Sequence, residues 1–308
     1  MLITGGSGFI GSHLIEELEA HGSDVISLDI RPPWRRHGAV EYVQFDFTQH
    51  AVLCELFDRV RPELVCHLGA IPSVQESIRE AHASMTANVA GTYSVAEAAR
   101  RSGARRMLLA SSAAVYGATA LEHQGRALIE AMVLRPLSPY ALAKKQGEEI
   151  LRMWSSDIWK PIDGVSLRFF NVFGPRQRRD SAYATAIERF LAQWRAGEPL
   201  TIVPDGQQRR DMVYVTDVVR AIRLALEAPE PWRGESINIG GGRNYSIFEM
   251  ARAVGGPEYP HRFIDPRPGE VRASLADIGL ARERLGWEPR VSFADGIEQL
   301  KQSVPVAS

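Results

Sequence analysis

Short apolar runs alternate with stretches of helical spacing through the first half of the chain. The runs fall at residues 2–4, 25–29, 42–46, 64–70, 106–112 and 165–170, several of them apolar almost throughout. Unbroken apolar character marks parallel strands covered on both faces. Between the runs, residues 12–21, 51–59 and 88–102 carry apolar positions three and four apart, which predicts helices. This alternation reads as an α/β fold with a doubly wound parallel sheet. The first run is short because the chain starts almost inside it.

Beyond residue 170 the rhythm breaks. Gly, Pro and Arg cluster at 174–179, a helix-like stretch follows at 184–196, and Pro204-Asp205-Gly206 marks a turn. Residues 236–241 read as one more strand and 255–268 as loop-rich. The expected organisation is a sheet domain over 1–172, completed by segments near 211–241. A smaller mixed α/β lobe would come from 173–210 and 242–308. No internal repeat or low-complexity segment occurs.

Composition narrows the function. The 308 residues suit two domains at about 150 residues each. With 36 Lys+Arg against 37 Asp+Glu, no positive excess exists to neutralise nucleic acid or a membrane surface. No stretch of 18 apolar residues predicts a membrane span. The N-terminal MLITGGSGFIG lacks a basic segment and a cleavage site, so no signal peptide is expected. Cys54 and Cys66 are too few for a disulfide scaffold and fit a reducing cytoplasm. The histidines are scattered, without H-x-x-x-H or C-x-x-C spacing, so no metal site is expected. Adjacent Cys66 and His67 would point to opposite faces of a strand, where packing is the simpler role. No G-x-S-x-G string suggests a serine hydrolase.

The candidate chemistry begins at Thr4-Gly5-Gly6-Ser7-Gly8-Phe9-Ile10-Gly11, which follows a strand and opens a helix. Gly5, Gly8 and Gly11 permit a tight turn and let N–H groups, including those of Phe9 and Ile10, approach a pyrophosphate. Asp29 ends the second strand, 18 residues after Gly11. A carboxylate there accepts bonds from both adenosine ribose hydroxyls and repels a 2′-phosphate, which favours NAD over NADP. Arg31, Arg35 and Arg36 follow closely and offer the opposite possibility.

Further along, Tyr140 and Lys144 sit four apart after Ser138-Pro139. Pro139 suits a helix start, which places both on one helical face. A nearby ammonium would lower the tyrosine pKa and make Tyr140 an acid or base near neutrality. Ser111 and Ser112 end the fifth strand, where doubly wound sheets bind ligands. Taken singly, each feature is also ordinary: a glycine turn, an amphipathic helix, a strand-end cap.

Together these strings, with R-F-F-N-V-F-G-P-R-Q and D-G-Q-Q-R-R-D-M-V-Y-V-x-D-V, resemble the extended short-chain dehydrogenase/reductases. The resemblance is to the NAD-dependent nucleotide-sugar epimerase/dehydratase family, its UDP-glucose 4-epimerases especially, and runs from Leu2 to about Pro289. It implies a dinucleotide (Rossmann) fold and NAD as cofactor. Tyr140 would take the proton of the sugar 4-OH while NAD takes the C4 hydride. Ser112 would bond the same oxygen, and Lys144 would bind the nicotinamide ribose. The resemblance adds Asp46 and Phe47 on the adenine side, a backbone-lined stretch at Leu68, Gly69 and Ala70, and Asn88. Family members commonly have Ala where this chain has Gly69.

Which reaction follows turns on an absence. Family dehydratases carry Asp-Glu after the catalytic hydroxyl residue, and the decarboxylases keep a Glu; here stand Ala113 and Ala114, without proton-transfer chemistry. The implied reaction is epimerisation at C4 of a nucleotide-diphosphate sugar. An NAD(P)H-dependent 4-ketoreductase of an activated deoxysugar is the second enzyme reading, and a non-catalytic NAD-binding scaffold a third. For the substrate, Asn171 and Arg210 match diphosphate-binding residues, Arg267 a second pyrophosphate arginine, and Glu270 a nucleotide-ribose carboxylate. Ser274 matches the position beside the sugar C2 group, where a small residue admits N-acetylhexosamines. Arg178 matches a carboxylate-binding position of hexuronate 4-epimerases, which usually have Thr in place of Asn171. The family also implies a homodimer through helices 88–102 and 140–154.

Overall fold

The computed structural model describes residues 1–123, 125–156, 158, 161–177, 185–265 and 272–303. A seven-stranded sheet has the order β10-β6-β5-β4-β1-β2-β3, with every neighbouring pair parallel. Its strands are β1 (Leu2–Thr4), β2 (Val25–Asp29), β3 (Val40–Gln44), β4 (Leu64–His67), β5 (Arg106–Ser112), β6 (Asp163–Phe169) and β10 (Glu235–Ile239). Strand order reverses between β1 and β4, which opens a crevice at their carboxyl ends.

Alternation along these strands feeds two cores. Leu2, Val65, Met107 and Leu109 pack with α2 (His50–Val60), α5 (Gly91–Ser102) and α7 (Pro139–Trp154) on one face. Ile3, Cys66 and Leu108 join α1 (Phe9–Ala20) and α9 (Val215–Glu227) on the other. Burial on both faces explains the unbroken apolar runs. Shorter helices are α3 (Val74–Arg79), α4 (Ala81–Met85) and α6 (Ala118–His123), of which α3 and α4 pack against α7.

Two small sheets accompany the large one. β7 (Asn171–Phe173), β9 (Arg209–Tyr214) and β11 (Asn244–Ser246) form one, and β8 (Leu200–Ile202) pairs with β12 (His261–Phe263). Helices α8 (Ala186–Arg195), α10 (Ile247–Gly255), α11 (Gly279–Leu285) and α12 (Phe293–Gln302) complete the chain. The chain crosses between sheets repeatedly: β9 lies in a small sheet, then α9 packs on the large one and β10 joins it. Loop 174–177 is held to α1, where the His13 ring meets the Pro175 carbonyl at 3.0 Å and Arg176 donates to Glu16.

Two local differences from the expected elements have physical causes. β3 begins and ends two residues earlier than 42–46, because its register runs from Val25↔Val40 to Asp29↔Gln44. Asp46 instead makes a turn, its carboxylate accepting the Thr48 N–H and its carbonyl that of Gln49. The helix expected at 88–102 begins as α4, widens into a π turn at Thr86–Ala90, and continues as α5. Apolar spacing does not reveal that widening; such turns gather at functional sites.

Candidate active site

The β1–α1 turn fits a dinucleotide by its backbone. Gly5 has φ +73°, and a Cβ there would lie 2.7 Å from the Gly69 nitrogen. A Cβ on Gly11 would lie 2.2 Å from the Gly5 carbonyl oxygen. These glycines let the turn close against the end of β4. Gly8 is the N-cap of α1 with extended backbone and no side-chain cap, so the helix start presents bare N–H groups at Phe9 and Ile10. Asp29 is buried at the end of β2, where its two oxygens accept the Ser7 and Arg31 N–H groups, each at 3.0 Å. An oxygen of this carboxylate has further lone pairs for ribose hydroxyls. The chain's residues thus suit NAD here.

A polar chain crosses the bottom of the crevice. The Gly69 N–H donates to Thr4 Oγ1 at 3.1 Å, and Thr4 meets His67 Nδ1 at 2.6 Å. His67 Nε2 meets Thr92 Oγ1 at 3.0 Å, and Thr92 donates to the Asn88 carbonyl at 2.7 Å. Those directions assign the imidazole proton to Nε2. Burial, reinforced by Lys144, pulls the His67 pKa down to about 3, so the ring is neutral. Asn88 pins the cofactor-side loop: its Oδ1 accepts the Ile71 N–H at 2.8 Å and its Nδ2 donates to the Ile71 carbonyl at 3.0 Å. Leu68 N–H meets the Thr4 carbonyl, and Ala70 follows half-buried. Phe47 packs edge-on against His67, 5.2 Å between centroids, in a slot left by Gly69 and Gly91. A Cβ on Gly69 would lie 2.6 Å from that ring, which accounts for Gly where the family commonly has Ala.

Above this floor, α7 carries Tyr140 and Lys144, the pair expected to react. Ser138 caps Ala141 N–H, Pro139 has no N–H to satisfy, and Ser77 Oγ accepts that of Tyr140 at 3.1 Å. The first turn is therefore fully bonded and rigid. Ser112 lies near enough to the Tyr140 side chain to favour its phenolate, and its Oγ accepts the Ala114 N–H at 3.2 Å. Lys144 Nζ lies 5.8 Å from the Tyr140 ring centre. Burial lowers the Lys144 pKa to about 8, with Glu148 opposing the fall. The Tyr140 pKa is raised by burial, with nearby Ser112 opposing. That direction is opposite to the one expected from an adjacent ammonium; desolvation of the phenolate outweighs it.

In the three-stranded sheet, Asn171 and Arg210 come to neighbouring strands β7 and β9. Asn171 Nδ2 donates to the Asp211 carbonyl at 2.8 Å. Arg209, the alternative in register, bonds Asn244 and pairs with Glu249 at 3.0 Å. Alternation puts Arg210 on the other face, with one donor on the Arg209 carbonyl. The Ser274 N–H donates to the Arg209 carbonyl at 3.1 Å, and its hydroxyl is buried without a partner among the described residues. Arg178, Arg267 and Glu270 lie outside the described residues.

Two groups escaped sequence reasoning. Asp211 is wholly buried and accepts N–H groups of Gly241 and Ala276, at 2.5 and 2.9 Å, with Gly242 also contributing. Glu148 is buried one turn beyond Lys144 and pairs with Arg168 through two bonds of 2.9 and 2.7 Å. Its signal in the sequence was the four-residue spacing after Lys144. Among the described residues, no group of three or more His, Cys, Asp or Glu side chains could hold a metal. No described helix is long and apolar enough to cross a membrane.

Comparison with known proteins agrees with this geometry. Residues 1–240 match the model of the NAD dependent epimerase/dehydratase family. A UDP-glucose 4-epimerase of Mycolicibacterium smegmatis is 37% identical over 309 residues, covering 96% of this chain and 95% of the relative. The solved UDP-glucose 4-epimerase of Thermotoga maritima, with UDP-glucose, superposes with a TM-score of 0.89 at 30% identity, covering 98% and 97%. A UDP-N-acetylglucosamine 4-epimerase from Methanobrevibacter ruminantium gives 0.88 at 28% identity, covering 98% and 96%. Its glycine turn, its switch-point crevice and these matches agree: the chain belongs to the NAD-dependent epimerase/dehydratase family.

Proposed function

We propose that this chain is an NAD-dependent nucleotide-sugar epimerase acting at C4 of a UDP-hexose or UDP-N-acetylhexosamine. The observation that carries the reading is the buried pair Tyr140 and Lys144 on one face of α7, with Nζ 5.8 Å from the ring centre and Ser112 near the phenol. Tyr140 would act as its phenolate, which Lys144 and the positive nicotinamide of bound NAD favour against the effect of burial, to receive the proton of the sugar 4-OH, and Ser112 would hold the same oxygen. NAD, when bound, supplies hydride acceptance at C4 and return to the opposite face. Gly5, Gly8, Gly11, Asp29 and the loop at Leu68–Ala70 hold the cofactor, and Lys144 meets its ribose. The sugar turns over as its 4-ketone before Tyr140 gives the proton back. Asn171 and Arg210 bind the diphosphate, a task suited to a guanidinium fork. Ala113 and Ala114, in a 3-10 turn after Ser112, offer no acid or base for eliminating water.

The test is incubation with UDP-, dTDP-, GDP- and CDP-sugars without added cofactor, followed by product separation. Interconversion of UDP-glucose and UDP-galactose by protein that carries its own NAD is the expected result. A requirement for stoichiometric reduced cofactor would favour the ketoreductase instead. Turnover of UDP-glucuronate alone would favour the hexuronate reading and Arg178. Replacing Ser274 by Tyr should remove activity on N-acetylhexosamines and spare the plain hexose.

We further infer a homodimer through α5 and α7, where Tyr93 and Met153 are 40% and 44% exposed. Sedimentation at micromolar protein tests it, and a monomer would refute it. Both cysteines are free thiols, which suits the cytoplasm; cell fractionation decides that.

A further inference from the structure

Tyr140, Lys144 and Glu148 follow one another at four-residue intervals on the buried face of α7. The first two belong to the reaction proposed above. Glu148 touches neither cofactor nor sugar in that scheme, yet it is 1% exposed and engaged by four donors. Its Oε1 accepts Ser111 Oγ at 2.5 Å and Arg168 Nε at 2.9 Å. Its Oε2 accepts Arg168 Nη2 at 2.7 Å and Ser236 Oγ at 3.1 Å. Those donors come from β5, β6 and β10. Four donors occupy about four lone-pair sites, so the carboxylate has no freedom to turn. Arg168 is committed as well, its Nη1 donating to Tyr116 Oη and to the Glu130 carbonyl.

We propose that Glu148 is a positioning residue for this active site: it locks the Lys144 turn of α7 to three neighbouring strands and balances the Lys144 charge. The lock reaches the reacting groups from both sides. Ser111 immediately precedes Ser112, and the two point to opposite faces of β5, so fixing one sets the other. Along α7, Lys144 and Glu148 are neighbours on one face.

The charges around Lys144 support the balancing role. From its own helix it faces Tyr140 and Glu148. From β4 it faces His67, which is neutral. Of the elements packed on α7, which are α3, α4, the π turn, α5, β5, β6 and the 3-10 turn after β5, none contributes a second charge that shifts Lys144, and Arg168 of β6 is paired with Glu148. Among the described residues, Glu148 is the anion that offsets the desolvation of Lys144. A carboxylate serving packing alone would affect stability and leave the lysine titration where it is.

The chain has four lysines, at 144, 145, 160 and 301, so side-chain signals from labelled lysine are resolvable by NMR. Holoprotein is titrated, and Lys144 is assigned by its loss in K144M. Wild type should titrate near pH 8. In E148Q the midpoint should fall by about one pH unit, a tenfold weaker hold on the proton. The alkaline limb of kcat should move with it, while KM for the nucleotide sugar stays within about twofold. E148D should restore part of the shift. An unchanged midpoint in folded E148Q overturns the proposal. If E148Q does not fold, E148Q/R168M removes the unpaired buried cation; a lowered midpoint there supports the proposal and an unchanged one overturns it. The proposal rests on the functional reading above, but the two fail separately. Wild type inert towards every nucleotide sugar would sink the reading, and the lysine titration would still decide Glu148.

Discussion

Lys144 Nζ lies 5.8 Å from the Tyr140 ring centre, one turn along α7, with Ser112 at the end of β5 near the phenol. Tyr140→Phe removes the proton carrier and keeps the ring. Its kcat should fall about 10²–10⁴-fold with KM nearly unchanged. Ser112→Ala removes one hydrogen bond worth about 1 kcal/mol, roughly a fivefold loss. Steady-state epimerisation, with circular dichroism as the folding control, measures both. Full turnover by the Phe variant would take Tyr140 out of the mechanism.

Gly5→Ala meets two obstacles: a left-handed backbone and the Gly69 nitrogen 2.7 Å from the new Cβ. The backbone alone costs about 1–2 kcal/mol. Purified G5A should therefore melt lower and contain less NAD per chain, assayed after acid release of nucleotides. Wild-type cofactor content in G5A would separate the turn from NAD binding.

Phe47 and Gly69 should be energetically coupled. Gly69→Ala pushes a methyl into the Phe47 ring, an overpacking cost of about 1–3 kcal/mol. In a Phe47→Leu background the same change should cost much less. Urea denaturation of both single variants and the double variant yields the coupling. Strict additivity would mean that the ring yields without penalty.

Asp211 gives stability a pH dependence of definite sign. Burial raises its pKa from 3.8 to about 6, although Ala276, Gly241 and Gly242 donate to it. The folded chain then holds this proton more tightly than the unfolded chain does. The resulting stabilisation is complete below pH 3.8 and is lost as pH rises through about 6. Wild type compared with Asp211→Asn should lose stability between about pH 4 and about pH 6. Denaturant midpoints across that window decide it, and a constant difference would contradict the assignment.

The legible parts of this molecule were the local ones. Gly5, Gly8 and Gly11 with Asp29 announce a turn and an acid within one strand–helix–strand unit. Ser138-Pro139 announces the start of α7. The Glu148 cluster was not legible, because its partners Ser111, Arg168 and Ser236 stand 37, 20 and 88 residues away. Spacing within α7 shows which side chains share a face, not what three strands bring to it. The same limit applied to Tyr140: a neighbouring ammonium is visible in the sequence, whereas the desolvation that outweighs it depends on the finished packing. At Phe47 and Gly69 the departure from the family string was visible, and its cause, a ring filling the methyl's place, was not.

The Thr4–His67–Thr92 seam also specifies how the sheet is assembled. Sliding β4 past β1 by two residues would keep every apolar side chain on its proper face, so the two cores do not forbid it. Only in the observed register do Thr4 and His67 stand opposite each other. A slipped sheet would strand a neutral imidazole in apolar surroundings, where unmet hydrogen bonds are costly. The polar seam under the crevice is thus an alignment key: it makes the one strand pairing that builds the nucleotide site the only satisfied pairing at this point.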